Sequence, residues 1–67
     1  MNRDYRCYFL GSDGKFKDFV AFVCADDQAA IAQAQRYFAS QSDYVGFELW
    51  ESTRKVYLRP PPPASTT

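Results

Sequence analysis

The sequence predicts an α+β domain: a four-stranded antiparallel sheet with one helix on one face, in chain order β-β-α-β-β. Three observations carry this. Two aromatic-rich, β-prone runs flank the turn cluster Gly11-Ser-Asp-Gly14. An alanine-rich stretch with helical periodicity opens just after Asp26. Two further β-prone runs, Tyr44 to Trp50 and Lys55 to Arg59, close the chain around a short polar turn.

The first strand is Tyr5-Arg-Cys-Tyr-Phe-Leu10. Asp13-Gly14 ends it as a hairpin signal, because glycine takes positive φ without a steric cost. Phe16 to Cys24 is the returning strand, rich in the aromatic and branched residues that suit a pleated surface. Asp26 is suited to an N-cap and Asp27 to the positive end of a helix dipole. Ala29 to Ala39 then reads as helix, with Ala30, Ile31, Ala34, Tyr37 and Phe38 forming one apolar stripe. Small alanines let such a helix lie close to a sheet. Ser40-Gln-Ser-Asp43 breaks it with side chains that compete for backbone hydrogen bonds. The strand order expected is 2-1-3-4. Residues 1–59 form the single domain in this reading. Residues 60–67, beginning with four prolines, form an extended disordered tail, since proline cannot donate to a ladder.

Bulk composition narrows the function classes. A chain of 67 residues is one domain at most, and stability at that length is marginal. Twelve aromatics, six Phe, five Tyr and one Trp, supply enough buried area for a core without staples. Eight Lys+Arg balance eight Asp+Glu, so no whole-molecule field steers the chain to nucleic acid or anionic lipid. No apolar run approaches the roughly 18 residues of a membrane span. Met1 to Arg6 is polar, without a signal-peptide apolar region, so a cytoplasmic location is expected.

Chemistry-bearing constellations are sparse. There is no histidine, which removes the commonest general base and transition-metal ligand. Cys7 and Cys24 lack a C-x-x-C spacing. If Leu10 pairs with Lys15, Cys7 faces Asp18 and Cys24 lies about 20 Å further along the strand. A disulfide needs Cα atoms within about 7 Å, so both thiols read as reduced, partly buried small residues. Asp26-Asp27 could be a metal-binding pair, but capping explains both positions. Gly11 to Lys15 lacks the spacing and the following helix of a phosphate loop. Arg59-Pro-Pro-Pro-Pro63 could dock in an aromatic groove, although a plain tail accounts for it. No enzyme, cofactor or metal is expected.

Certain residues also carry a resemblance. Tyr8-Phe9, Asp13-Gly14, Asp27-Gln-Ala-Ala30 and Phe47-Glu-Leu-Trp50 together make the chain, over residues 5–59, similar to a group of small bacterial domains of unknown function, mostly alphaproteobacterial. A weaker similarity runs to antitoxin domains of the HicB type, which also place an alanine-bearing helix after a hairpin. The extra DNA-binding segment those antitoxins often carry has no counterpart here. Neither resemblance implies a functional residue.

Alternation across the strands gives the candidate site. Cys7 and Phe9, Val20 and Phe22, Phe47 and Leu49, and Val56 and Leu58 are expected to face the helix. The opposite face then carries Tyr8, Phe19, Val23, Trp50 and Tyr57, rimmed by Arg6, Lys17, Lys55 and Arg59. Aromatics and cations together suit a protein interface, and a homodimer or other protein partner is the leading expectation. Single-stranded nucleic-acid binding on the same face is the alternative, with bases stacking on the aromatics. The competing plain reading is that these are ordinary strand residues half-covered by Lys and Arg stems.

Overall fold

The computed structural model describes residues 2–60. Five elements follow in the expected order: β1 (Arg3–Gly11), β2 (Phe16–Cys24), α1 (Asp27–Ala39), β3 (Tyr44–Glu51) and β4 (Arg54–Arg59). The strands form one sheet in the order β2-β1-β3-β4, every neighbouring pair antiparallel. The disordered tail expected over residues 60–67 lies, beyond Pro60, outside the described residues.

The β1–β2 turn closes through the Gly11 N–H donating to the Lys15 carbonyl at 2.8 Å and the Gly14 N–H to the Gly11 carbonyl at 3.0 Å. Gly14 has φ +81°, the left-handed geometry that the Asp-Gly pair anticipates. The register differs from the one expected by two residues. Cys7 lies opposite Val20, not Asp18, and Cys24 opposite Arg3. Both cysteines are free thiols.

The helix begins where the cap chemistry says it should. Asp26 is extended (φ −154°), and its Oδ1 accepts the Ala29 N–H at 2.8 Å. At the other end the Ser40 hydroxyl donates to the Tyr37 carbonyl at 2.8 Å. Ala30 and Ala34 are completely buried, and Ile31, Tyr37 and Phe38 pack around them. With only a methyl at its two closest approaches, α1 sits low on the sheet. The flanking aromatics then reach down on both sides: Tyr37 lies 5.7 Å from Phe22, and Phe38 lies 5.4 Å from Phe47, between ring centroids. The buried core is Tyr5, Cys7, Phe9, Ala30, Ala34, Phe47 and Leu49.

A polar clasp joins the start of α1 to the sheet. The buried Tyr5 hydroxyl donates to Asp27 Oδ1 at 2.7 Å, which satisfies a group that would otherwise be orphaned in the core. Arg54 grips the same carboxylate with its two terminal guanidinium nitrogens, at 3.1 and 3.0 Å, and also bonds Glu51. Arg3 lies 3.8 Å from Asp27 and 3.7 Å from Glu51. The Arg54 guanidinium, then the Tyr5 hydroxyl, holds the Asp27 carboxyl below the usual carboxylate range. Burial, and then the Asp27 bond, pushes the Tyr5 phenol up.

Ala34→Leu should destabilise the fold by about 1–3 kcal/mol in urea unfolding, because the larger side chain lifts α1 off the sheet. The clasp predicts a pH dependence as well. Because the Asp27 carboxyl is more acidic when folded, its contribution is complete above the ordinary carboxylate value and is lost as pH falls through the lower folded value. The thermal midpoint should therefore drop as pH falls below the ordinary carboxylate range, and Asp27→Asn should flatten that acid limb while lowering the neutral-pH midpoint.

Candidate interaction face

Cross-strand pairing defines the side of the sheet that α1 leaves bare. Tyr5, Cys7 and Phe9 point under the helix, so Asp4, Arg6, Tyr8 and Leu10 point away. Their partners share that face. Asp4 pairs with Val23, Arg6 with Ala21 and Trp50, Tyr8 with Phe19 and Glu48, and Leu10 with Phe16. Glu48 in turn pairs with Leu58, and Trp50 with Lys55. Phe16 (52%), Phe19 (56%), Val23 (55%) and Leu58 (46%) are the large apolar residues most exposed among those described, and all four lie here. Tyr8 joins them, its ring centroid 5.8 Å from Phe19 and 6.0 Å from Phe16.

Trp50 is held in place rather than free to turn. Its Nε1–H donates to Glu48 Oε1 at 3.0 Å, and the Lys55 ammonium sits 5.4 Å from its ring centroid. Lys55 and Glu48 are themselves 3.9 Å apart, so the indole is bracketed by an ion pair. Beside it is a shallow cleft of about 440 Å³, lined by Tyr8, Phe16, Glu48, Trp50, Ser52 and Thr53.

Six of the residues expected on this face are on it: Tyr8, Phe19, Val23, Trp50, Arg6 and Lys55. Three are not. Tyr57 pairs with Leu49 and packs 5.7 Å from Phe47, and its hydroxyl accepts from Gln35 of α1 at 3.5 Å. Arg59 follows it to the helix side, its guanidinium 4.8 Å from the Phe38 ring. Leu58, expected under the helix, is correspondingly on the bare face. The cause is a β-bulge at Val56: Trp50 faces Lys55 and Leu49 faces Tyr57, so one residue is extra and the alternation inverts beyond it. Lys17 is displaced in the same way. It is the extra residue between the Phe9–Asp18 and Leu10–Phe16 pairs. Its stem runs so close to Gly11 that a Cβ there would lie 2.6 Å from Lys17 Cγ, and its ammonium pairs with Asp13 at 2.6 Å.

Sequence reasoning missed Phe16 and Leu58 because both follow from bulges, and no residue type at these positions marks a bulge. It also missed Tyr5, whose burial depends on the Asp27 carboxylate reaching its hydroxyl.

These corrections change the electrostatics. With Lys17 and Arg59 removed, the charged side chains on the bare face are Asp4, Glu48, Arg6 and Lys55, two of each sign. The face is apolar and locally neutral. Elsewhere, burial pushes the Cys7 thiol up to about 12, leaving it a protonated core group with little nucleophilic character. Among the described residues no three His, Cys, Asp or Glu side chains are grouped to hold a metal ion, and no helix is long and apolar enough to cross a membrane.

Comparison with known proteins gives no match to any family model, to any curated protein or to any solved structure.

Proposed function

We propose that this chain is a non-enzymatic interaction module that associates with a second copy of itself through the bare face of its sheet. The observation carrying the reading is the combination of four exposed large apolar side chains with a charge balance of zero on one surface. A face with no net charge does not repel its own copy across a two-fold axis. An apolar centre with Tyr, Trp and Arg is also the composition of interface cores.

The expected strength follows from size. Four strands at about 4.8 Å spacing are about 19 Å across, and six residues along them span about 20 Å. Two such faces bury roughly 800 Å² together, which falls in the class of weak, reversible contacts. Micromolar rather than nanomolar association is expected. Single-strand nucleic-acid binding, the other use of an aromatic sheet, draws less support, because two cations offset by two carboxylates give little attraction for phosphates.

Sedimentation velocity between about 10 and about 300 μM tests the proposal. The wild-type mass should rise across that range, while Phe19→Lys stays monomeric with its fold intact by circular dichroism. Tyr57→Ala should behave oppositely. It should cost about 1–2 kcal/mol of stability because its half-buried ring packs against the core, whereas Phe19→Ala costs under about 0.5 kcal/mol. A wild type that remains monomeric throughout contradicts self-association. Quenching of Trp50 by an oligonucleotide at low salt, absent at high salt, would favour nucleic acid instead.

A further inference from the structure

We propose that the outer edge of β2 pairs antiparallel with the β2 edge of a second copy across a two-fold axis, joining the two four-stranded sheets into one. This contact is separate from the one through the bare face, and either stands without the other.

β2 ends the sheet, with no strand beyond it among the described residues. The direction of its backbone groups follows from the turn. The Gly11 N–H reaches across to the Lys15 carbonyl, so Phe9, Cys7 and Tyr5, at alternate positions of β1, also turn their backbone groups toward β2. Their partners Asp18, Val20 and Phe22 answer them. Phe19, Ala21 and Val23 lie between and turn theirs outward. The Phe19 N–H agrees with this, because it donates to Asp18 Oδ1 at 2.8 Å.

The two edges of the sheet differ in how they meet another strand. β4 is six residues long, is broken by its bulge, carries Arg54, Lys55 and Arg59, and is followed by Pro60. Each of these features discourages a further strand. β2 is nine residues long, and from Phe19 to Cys24 it has no charge, no proline and no bulge. Phe19 and Val23, the two most exposed of the large apolar residues described, both lie on it.

A second copy is favoured over an unrelated strand because Phe19-Val-Ala-Phe-Val23 is its own complement. Two-fold axes at Val20, Ala21 and Phe22 all set outward backbone groups against outward groups. At Ala21, Phe19 faces Val23 of the second copy, Val20 faces Phe22, and Ala21 faces its equivalent. Aromatic thus meets branched and small meets small, the pairings that stabilise a sheet. An axis at Phe22 would set Asp18 against Asp26, and one at Val20 would set Asp18 against Phe22. The flanking charges match as well: the Ala21 register brings Lys17 of one copy level with Ala25 of the other, beside Asp26. The Ala21 N–H then donates to the Ala21 carbonyl, and the Val23 N–H to the Phe19 carbonyl, in both directions. The bond between Phe19 and Asp18 is left undisturbed.

Amide hydrogen exchange in the full chain, followed by NMR at about 30 μM and about 1 mM, tests the pairing. The Ala21 and Val23 amides should exchange about fivefold more slowly at the higher concentration, whereas those of Val20 and Phe22, held in the β1–β2 ladder, are protected at both. Ala21→Pro should remain folded, because the lost N–H points outward and proline is tolerated on an edge, and it should abolish the concentration dependence at Val23. Phe19 belongs to both contacts, so Leu58, on the bare face of the opposite edge strand, separates them: Leu58→Lys should keep the protection of Ala21 and Val23. A synthetic peptide of residues 16–24 should protect the same two amides. If these amides exchange equally at both concentrations, edge pairing is overturned, and a sedimented mass that still rises belongs to the face alone. If Leu58→Lys keeps both the protection and the full wild-type association, the face reading fails and edge pairing stands. If an alternating Thr-Val peptide of the same length protects the amides as well as the β2 peptide does, the edge accepts any strand and self-complementary pairing is overturned.

Discussion

A single 13-residue helix must serve a sheet with two apolar faces, and it can cover only one. That constraint shapes both sides of the sheet. On the covered side, the chain places its smallest helical residues, Ala30 and Ala34, where helix and sheet are closest, and its largest rings around them. On the bare side, it leaves Phe16, Phe19, Val23 and Leu58 in contact with solvent. In a domain this short, stability is a small difference of large terms, so apolar area left unburied in the monomer is a substantial fraction of what the chain has to offer. Burial against a second copy is the simplest way for it to be recovered.

The polar clasp at Asp27 is what lets the covered side close. Tyr5 is fully buried, and its hydroxyl finds its partner only because Asp27 opens the helix directly above it. Arg54, one residue after the β3–β4 turn, completes the group. Thus β1, α1 and the β3–β4 hairpin meet at one carboxylate. The order of the chain (hairpin, helix, hairpin) brings these three elements together with short connections. The clasp therefore serves the fold and leaves the bare face free for contact.

Much of this was legible in the sequence. The turn at Asp13-Gly14, the cap at Asp26 and the alanine stripe each depend on local chemistry, and each is where the residues place it. So is the phase of β1 and β3, whose inward residues Cys7, Phe9, Phe47 and Leu49 are all buried. The phase of β4 was not legible. Val56 and Leu58 alternate cleanly with Lys55, Tyr57 and Arg59, so simple alternation points to the wrong side for the second half of the strand. The bulge at Val56 reverses it and brings the Tyr57 ring against Phe47 and its hydroxyl to Gln35. Lys17 went astray for the same reason. A bulge is a property of two strands fitted together, and neither strand announces it alone.

The composition of the bare face turns on which side chains of β4 look at the helix. The most direct measurement is the set of proton–proton nuclear Overhauser contacts from Tyr57 and Leu58 in solution. Contacts from the Tyr57 ring to Phe47 and to the Gln35 side chain are expected, with Leu58 methyls touching no residue of α1. Contacts from Leu58 to Ala34 or Phe38, with the Tyr57 ring beside Trp50, would contradict it.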